Sequence, residues 1–340
     1  MKGFLRIAGA CMVTALSLVG CANNGVSDSS QATTERPMVL TLAHNLSETH
    51  ITSKALDRFA QTVQEKSSGR LKVRIYPSGQ LGSETEVLEQ IMAGVGDLTR
   101  VGAPGLAAYD DAYHTFGLPF LFADQEEYYR VMDSPQMAEF FQSTKDLGFV
   151  TLTYYTSGAR SFYTVNKPIR EPGDLKGLKI RVQNMRSQTD MMKALGGTAV
   201  VIPFGDIFTS LQTGVIDGAE SNETALTMAS HGEVCKVFSL DEHAMIPDVL
   251  SISSKTWDRL TGEDQKLLLE AARESTQWHK EAWEQATEEA IAEAREKMNV
   301  EFVEDVDKEA FRKATEPMVD SYGKEYPRVA ELLDVIERAK

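Results

Sequence analysis

Hydrophobic and polar positions change period several times along the chain, and each change predicts an element. Met38-Val-Leu-Thr-Leu-Ala-His44 is an apolar run of strand length. Leu71, Val73 and Ile75 alternate with Lys72, Arg74 and Tyr76, and the alternation stops at the turn residues Pro77-Ser78-Gly79. Between these two strands Ala55, Leu56, Phe59, Ala60 and Val63 recur at helical spacing, and Gly69 ends that helix. A second helix starts at Ser83, carries Val87, Leu88, Ile91 and Met92 on one face, and closes at Gly94 and Gly96. The rhythm returns with strands at Thr151–Tyr155, Ser161–Val165 and Leu178–Val182, helices around Gln188–Leu195 and Asp206–Gln212, and a short strand at Val215–Ala219. Strands alternating with helices predict parallel sheets joined by crossover helices, an α/β class. No internal repeat, low-complexity core segment or proline-rich spacer interrupts the series, so two lobes are expected in place of two domains on a linker.

The longest feature runs from Glu263 to Asn299 without Gly or Pro. Thr261 with Asp264 three residues on resembles a capping box. Leu268, Ala271, Ala272, Trp278, Ala282, Trp283, Ala286, Ala290, Ala294 and Met298 then form a stripe at three-to-four spacing. A continuous helix of that length, roughly 50 Å at 1.5 Å per residue, exceeds one lobe and predicts an element that crosses between two. Two shorter stacked helices are the alternative.

The N-terminus has a different pattern. Lys2 and Arg6 precede an almost unbroken apolar run, Ile7 to Val19, too short to span a bilayer and therefore a signal-peptide core. It ends at Leu18-Val19-Gly20-Cys21, which resembles the bacterial lipoprotein processing box. That resemblance implies removal of residues 1–20 and lipidation of Cys21. Residues 21–36 are polar after the cysteine, with little to bury, and read as a flexible tether reaching on the order of 20 Å. The expected location is extracytoplasmic, beside a membrane and anchored to it.

Charge and cysteine usage narrow the function. The chain's 340 residues carry a formal charge of −15, and the processed form, without Lys2 and Arg6, stands at −17. Such a surface repels nucleic acid and anionic headgroups. With Cys11 removed and Cys21 acylated, Cys235 is the lone thiol, so no intramolecular disulfide forms, and its apolar neighbours predict a small buried hydrophobe.

Enzyme signatures fail in turn. There is no Gly-x-Ser-x-Gly elbow, no phosphate-binding loop ending in Lys-Ser/Thr and no Gly-x-Gly-x-x-Gly turn. Histidines 44, 50, 114, 231, 243 and 279 never fall at metal-ligand spacing, and no cysteine pair exists. The carboxylates sit mostly in helical runs such as Glu284–Glu296, where a solvated face accounts for them. The chain is expected to be no enzyme and to need no cofactor or metal. A hydrolase or lyase of this size is the rival reading, and it lacks a nucleophile.

Two arginines stand apart. Arg181 alternates with Leu178, Ile180 and Val182, so it projects from the face opposite the core, near the carboxyl end of its strand. Ligands of open α/β sheets sit at such ends. Arg160 follows the Ser157-Gly158 turn and leads into Phe162 and Thr164 with period two. Two guanidinium forks from different segments suit one carboxylate. Spacing alone leaves open an Arg–Asp pair inside the lobe.

Three stretches resemble the DctP-type substrate-binding proteins of tripartite ATP-independent periplasmic (TRAP) transporters. They are Tyr76-Pro-Ser-Gly-Gln-Leu-Gly82, Asp174-Leu-Lys-Gly-Leu-Lys-Ile-Arg-Val182 and Leu211-Gln-Thr-Gly-Val-Ile-Asp-Gly-Ala-Glu220. The likeness covers essentially residues 38–335, in order and in register. It implies a class II periplasmic-binding-protein-like fold with discontinuous lobes, 37–157 plus 247–287 and 158–246 plus 288–340. It implies a small anionic ligand whose carboxylate is held by the Arg181 guanidinium fork, with Arg160 as second basic contact, and TRAP permease subunits as partners of a monomer. The family usually has two asparagines where Ser221 and Asn222 stand. Ser157-Gly-Ala-Arg-Ser-Phe-Tyr-Thr164, Asp97-Leu-Thr-Arg-Val101 and Ile180-Arg-Val-Gln183 are similar to the hexuronate-binding subgroup, as is Glu84. A uronate needs arginine for its carboxylate and groups such as Glu84, Gln183 and Asn222 for its hydroxyls, and Arg100 suits a polyhydroxylated acid. Phe204 and His44 complete the candidate contacts. Dicarboxylates, aldonates, sialic acid and 2-oxo acids are the other ligand classes the family implies, and a sensor-linked binding lobe would share the fold.

Overall fold

A computed structural model describes residues 32–340. The signal segment, the Cys21 lipidation site and the tether up to residue 31 lie outside the described residues.

Two sheets organise the chain. The first contains β1 (Met38–Ala43), β2 (Leu71–Tyr76), β3 (Leu98–Gly102), β4 (Phe149–Tyr155) and β10 (Asp248–Ser253), in the order β2-β1-β3-β10-β4. The second contains β5 (Arg160–Thr164), β6 (Lys179–Val182), β7 (Thr198–Val201), β8 (Gly218–Ser221), β9 (Val237–Ala244) and β11 (Glu301–Val303), in the order β11-β9-β5-β8-β6-β7. The helix Ile51–Lys66 links β1 to β2 on the expected apolar stripe, burying Ala55, Leu56, Phe59 and Val63. Ser83 caps the helix Glu84–Ala93 in a complete capping box with Glu86, and Gly94 ends it in the left-handed region at φ 76°.

Parallel pairing holds for β2-β1-β3 and for β8-β6-β7. It fails at β5 and β10, which run antiparallel to both of their neighbours. The reason is a ribbon that the sequence pattern does not reveal. The chain leaves the first sheet along β4 and enters the second as β5; it returns along β9 and re-enters the first as β10. β4 pairs with β10 and β5 with β9, so the outgoing and returning strands run antiparallel. Between the last pairs, Tyr155 with Asp248 and Arg160 with Ala244, the crossing segments touch: Ser157 Oγ donates to the Ile246 carbonyl at 2.5 Å. The molecule is two-lobed, with this ribbon as one connection.

The long helix is another. It runs unbroken from Gly262 to Met298, about 55 Å, with Thr261 accepting from Asp264 N at its start. Its first half packs on the helix Ile51–Lys66 and on β4, its second half on the helix Thr224–Met228. Apolar cores form separately behind the sheets, Leu40, Leu42, Phe59 and Leu268 in one lobe, Tyr163, Phe238, Ile180 and Phe311 in the other. The C-terminal helix Pro327–Ala339 packs Leu332 and Ile336 into the first lobe's core with Tyr113 and Phe140, although the resemblance groups residues 288–340 with the second lobe. Its amphipathic stripe carries no label of which lobe it serves.

One strand differs from expectation. Val215–Ala219 becomes β8 at Gly218–Ser221, because Gly214 prolongs the preceding turn at φ 72° and Asp217 is held outside the sheet, its carboxylate accepting from Lys179 N at 2.8 Å. The shift puts Glu220 and Ser221 on a strand beside β5 and β6. Cys235 is buried among apolar side chains, and burial pushes its thiol up to about 12.

Candidate functional site

A cleft of about 600 Å³ opens between the lobes. Asn45, His50, Glu84, Arg100 and Asp248 line it from the first lobe; Arg160, Arg181, Gln183, Phe204, Ser221 and Asn222 line it from the second. Trp283 reaches it from the long helix.

Arg181 is the penultimate residue of β6, near its carboxyl end, where Ile180 and Val182 face the core and it faces the cleft. Its Nε–H donates to the carbonyl of Ile202 at 2.8 Å. Among the described residues no carboxylate lies within salt-bridge distance of it, although it is only 5% exposed. Burial depresses its pKa, the direction expected of a cation taken out of water without a partner.

Arg160 is placed differently. Its Nε and Nη2 hold the carboxylate of Glu220, the Nη2 bond to Oε1 measuring 3.0 Å, and Nη2 also donates to the Glu220 carbonyl at 2.7 Å. The internal ion pair that spacing left open is therefore real for Arg160, with a glutamate as partner. Glu220 also faces His243, whose Nδ1 meets Asp241 Oδ2 at 2.7 Å and whose ring stacks on Phe162 at 4.6 Å. Burial opposes both charges. Arg160 nevertheless draws Glu220 down to about 2, and Asp241 and Glu220 lift His243 to about 9. The result is a buried chain of alternating charge under the second lobe's wall.

Arg100, mid-strand in β3, is also paired. Nη1 donates to Glu84 and to Asn45 Oδ1 at 3.2 Å, and Nη2 meets Asp248. Burial works against its charge, but Asp248 and Glu84 together raise its pKa, and burial raises that of Glu84. This arginine offers the cleft two oriented carboxylates more than it offers a cation.

The remaining polar residues are turned to donate or accept. Asn222 Oδ1 is occupied by Thr224 N at 3.1 Å and Thr224 Oγ1 at 2.6 Å, which leaves its amide N–H groups for the cleft. Ser221 ends β8 at the cleft wall, and Gln183 follows β6 with a buried Oε1 that has no partner. Phe204 is half-buried beside the ring of His231, 5.6 Å away.

His44 is the exception among the candidate contacts. It is 2% exposed, does not line the cleft, and makes no hydrogen bond with either ring nitrogen. Burial, helped by Arg100, holds it neutral with a pKa of about 4. It follows the last residue of β1, and the next residue, Asn45, is the one that reaches the cleft.

Sequence reasoning missed Asp248, His50, Asn45 and Trp283. Asp248 is invisible to local pattern because β10 pairs with β3 far back in the chain, Asp248 opposite Gly102; Trp283 reads as core because its stripe does face apolar neighbours, Ile51 and Ala286. His50 carries a readable signal: it is the N-cap of the helix Ile51–Lys66, its Nδ1 accepting from Thr52 N at 3.1 Å.

Among the described residues no group of three His, Cys, Asp or Glu side chains is arranged to hold a metal ion, and no helix is long and apolar enough to cross a membrane.

A family model described as bacterial extracellular solute-binding protein, family 7, matches residues 42–325. The uncharacterised protein YiiZ of Salmonella typhimurium is 42% identical over 287 residues, 84% of this chain and 87% of that one. A TRAP periplasmic solute-binding protein from Anaerococcus prevotii, solved with bound α/β-D-glucuronate, matches with a TM-score of 0.85 at 35% identity, covering 89% of this chain and 98% of that one. One from Xanthobacter autotrophicus, solved with β-D-galacturonate, matches with a TM-score of 0.84 at 34% identity, over 88% of this chain and all of that one.

Proposed function

This chain belongs to family 7 of the bacterial extracellular solute-binding proteins, the substrate-binding subunits of TRAP transporters, and from that premise we propose that it captures a hexuronate, D-glucuronate or D-galacturonate. The observation that carries the proposal is Arg181: a buried guanidinium at the cleft wall whose Nη groups face no protein carboxylate. A buried cation of this kind is compensated when a ligand anion arrives, and a planar fork takes a carboxylate with two parallel bonds.

Arg160, already charged and oriented by Glu220, adds a second positive contact through the nitrogen Glu220 does not use. The rest of the uronate is a ring of hydroxyls. Glu84 and Asp248 accept from them; Gln183 and Ser221 both accept and donate, and Asn222 donates through its amide N–H groups. Trp283 and Phe204 supply apolar surface for the ring's C–H faces. Arginine on one lobe and carboxylates on the other mean that ligand binding joins the lobes. Flexing of the β4-β5/β9-β10 ribbon then expels water and strengthens each of these contacts.

The same reading makes the chain a monomeric, non-catalytic carrier that hands its ligand to the TRAP permease subunits, tethered by lipid on Cys21. Family members are extracytoplasmic; the lipid anchor rests on the Leu18-Val19-Gly20-Cys21 box.

The test is a thermal-shift panel on protein lacking residues 1–31, because a ligand that binds only the native state raises Tm by mass action. D-glucuronate or D-galacturonate raises Tm, and neutral hexoses do not, since they leave Arg181 without an anion. A larger shift with succinate or a 2-oxo acid than with every uronate overturns the hexuronate assignment.

A further inference from the structure

The buried charged groups on the two walls of the cleft sum to opposite signs. On the second lobe, Arg160 and His243 are matched by Glu220 and Asp241, and Arg181 is left over as one positive charge. On the first lobe, Glu84 and Asp248 share the single cation Arg100, which leaves one negative charge. The other titratable liner on that side, His50, adds nothing to this balance. Its Nδ1 accepts from the Thr52 amide, and burial, with Arg100 and His44, lowers its pKa to about 3, so it is neutral. Asp206 also lines the second lobe's side, but it is exposed, where solvent screens its charge, and it stands outside this sum.

Arg100 has three of its five N–H bonds engaged, and its buried Nε–H has no partner. Both N–H bonds of Nη1 go to Glu84 and Asn45, and one of Nη2 goes to Asp248, so the cation faces this wall with a carboxylate on either side of it. An anion arriving at this wall would meet two carboxylates and a guanidinium already engaged by both.

We propose that the Glu84–Arg100–Asp248 cluster selects for monoacids: it takes the hydroxylated end of the ligand and rejects any ligand with a second negative charge there. The proposal rests on the hexuronate reading, in which the carboxylate lies on Arg181. The excluded class is the aldarates, acids of the same carbon skeleton in which the aldehyde end is a second carboxylate. Like charges brought together at a buried wall cost several kcal/mol, enough for roughly 100-fold discrimination.

The experiment compares two open-chain acids that differ only at one end, L-gulonate (CH₂OH) and D-glucarate (COO⁻), with D-glucuronate as reference, by calorimetric titration. The expected result is that D-glucarate binds at least 30-fold more weakly than L-gulonate. Glu84→Gln, which keeps the side chain's shape and removes one charge, narrows that gap at least fivefold, and Asp248→Asn does the same from the opposite side of Arg100. The proposal is overturned if wild type binds D-glucarate within threefold of L-gulonate. It is also overturned if the gap persists in both variants, or if neither open-chain acid binds wild type or variants while D-glucuronate does, because shape and not charge then does the excluding. Failure of D-glucuronate and of D-galacturonate to bind at all counts against the hexuronate reading itself.

Discussion

Arg181 donates its Nε–H to the backbone carbonyl of Ile202 at 2.8 Å, and this bond aims the rest of the guanidinium into the cleft. The anchor uses the one nitrogen that a bidentate carboxylate does not need. Arg160 has the opposite arrangement: its Nε and Nη2 are taken by Glu220, so most of its fork is spent inside the lobe. Two arginines on neighbouring segments thus have different energetics, and the difference is measurable.

Replacing Arg181 with Lys keeps the charge and removes the planar fork. Losing one partner of a buried, hydrogen-bonded charge pair costs about 2 kcal/mol or more, so hexuronate binding weakens at least about 30-fold by calorimetry. Apo stability stays level or rises, since the native cation has no carboxylate to lose. An unchanged Kd with a lowered apo Tm would show that Arg181 is a structural residue.

Arg160→Met gives the reverse ordering in the apo protein. It leaves Glu220, fully buried, without its main counter-charge, and breaking a buried pair in this way costs roughly 3 kcal/mol or more. Urea unfolding shows a clear drop in midpoint at constant m, larger than for Arg181→Met. Equal midpoints for the two variants would contradict the pairing.

The pH profile follows from His243. Its folded pKa of about 9 lies above the ordinary 6.5, despite burial, because Asp241 and Glu220 favour the cation. The stability this gives is fully present below pH 6.5 and is lost as pH rises through 9, a change on the order of 3 kcal/mol. His50, His231 and His279 act in the opposite sense: burial lowers each to about 3, so their contribution is gained as pH rises toward 6.5. Chemical denaturation between pH 6.5 and 9 therefore shows falling stability in wild type, and the slope flattens in His243→Gln. The same slope in both proteins would remove His243 as its source.

With the lipid on Cys21, as proposed, the expected outcome of Cys21→Ala is loss of acylation and a precursor left uncut by the lipoprotein peptidase. Mass spectrometry of the mature wild-type N-terminus reads this directly; an unmodified start at any other residue excludes the anchor.

Much of this protein was determined by sequence alone, for a physical reason. Side-chain period reports which face of an element is apolar, and Ile180, Arg181 and Val182 show on β6 that the arginine must leave the core face. The Thr261 cap and the unbroken stripe to Met298 likewise specify a helix too long for one lobe. These are local facts, set by neighbours in the chain. What no local pattern contains is who meets whom across the chain. That Arg160 would close on Glu220 and that Asp248 would join Glu84 on Arg100 depend on pairing of strands distant in the chain, and that Trp283 would line a cleft depends on where the long helix packs. His44 and Asn45 show the limit at its finest: both follow β1, and only the packed structure decides that the first is sealed in and the second faces the cleft. Burial and pairing set which charge is spent inside the protein and which is left for a ligand, and both are properties of the assembled lobes, because desolvation depends on every atom nearby and not on the order of residues.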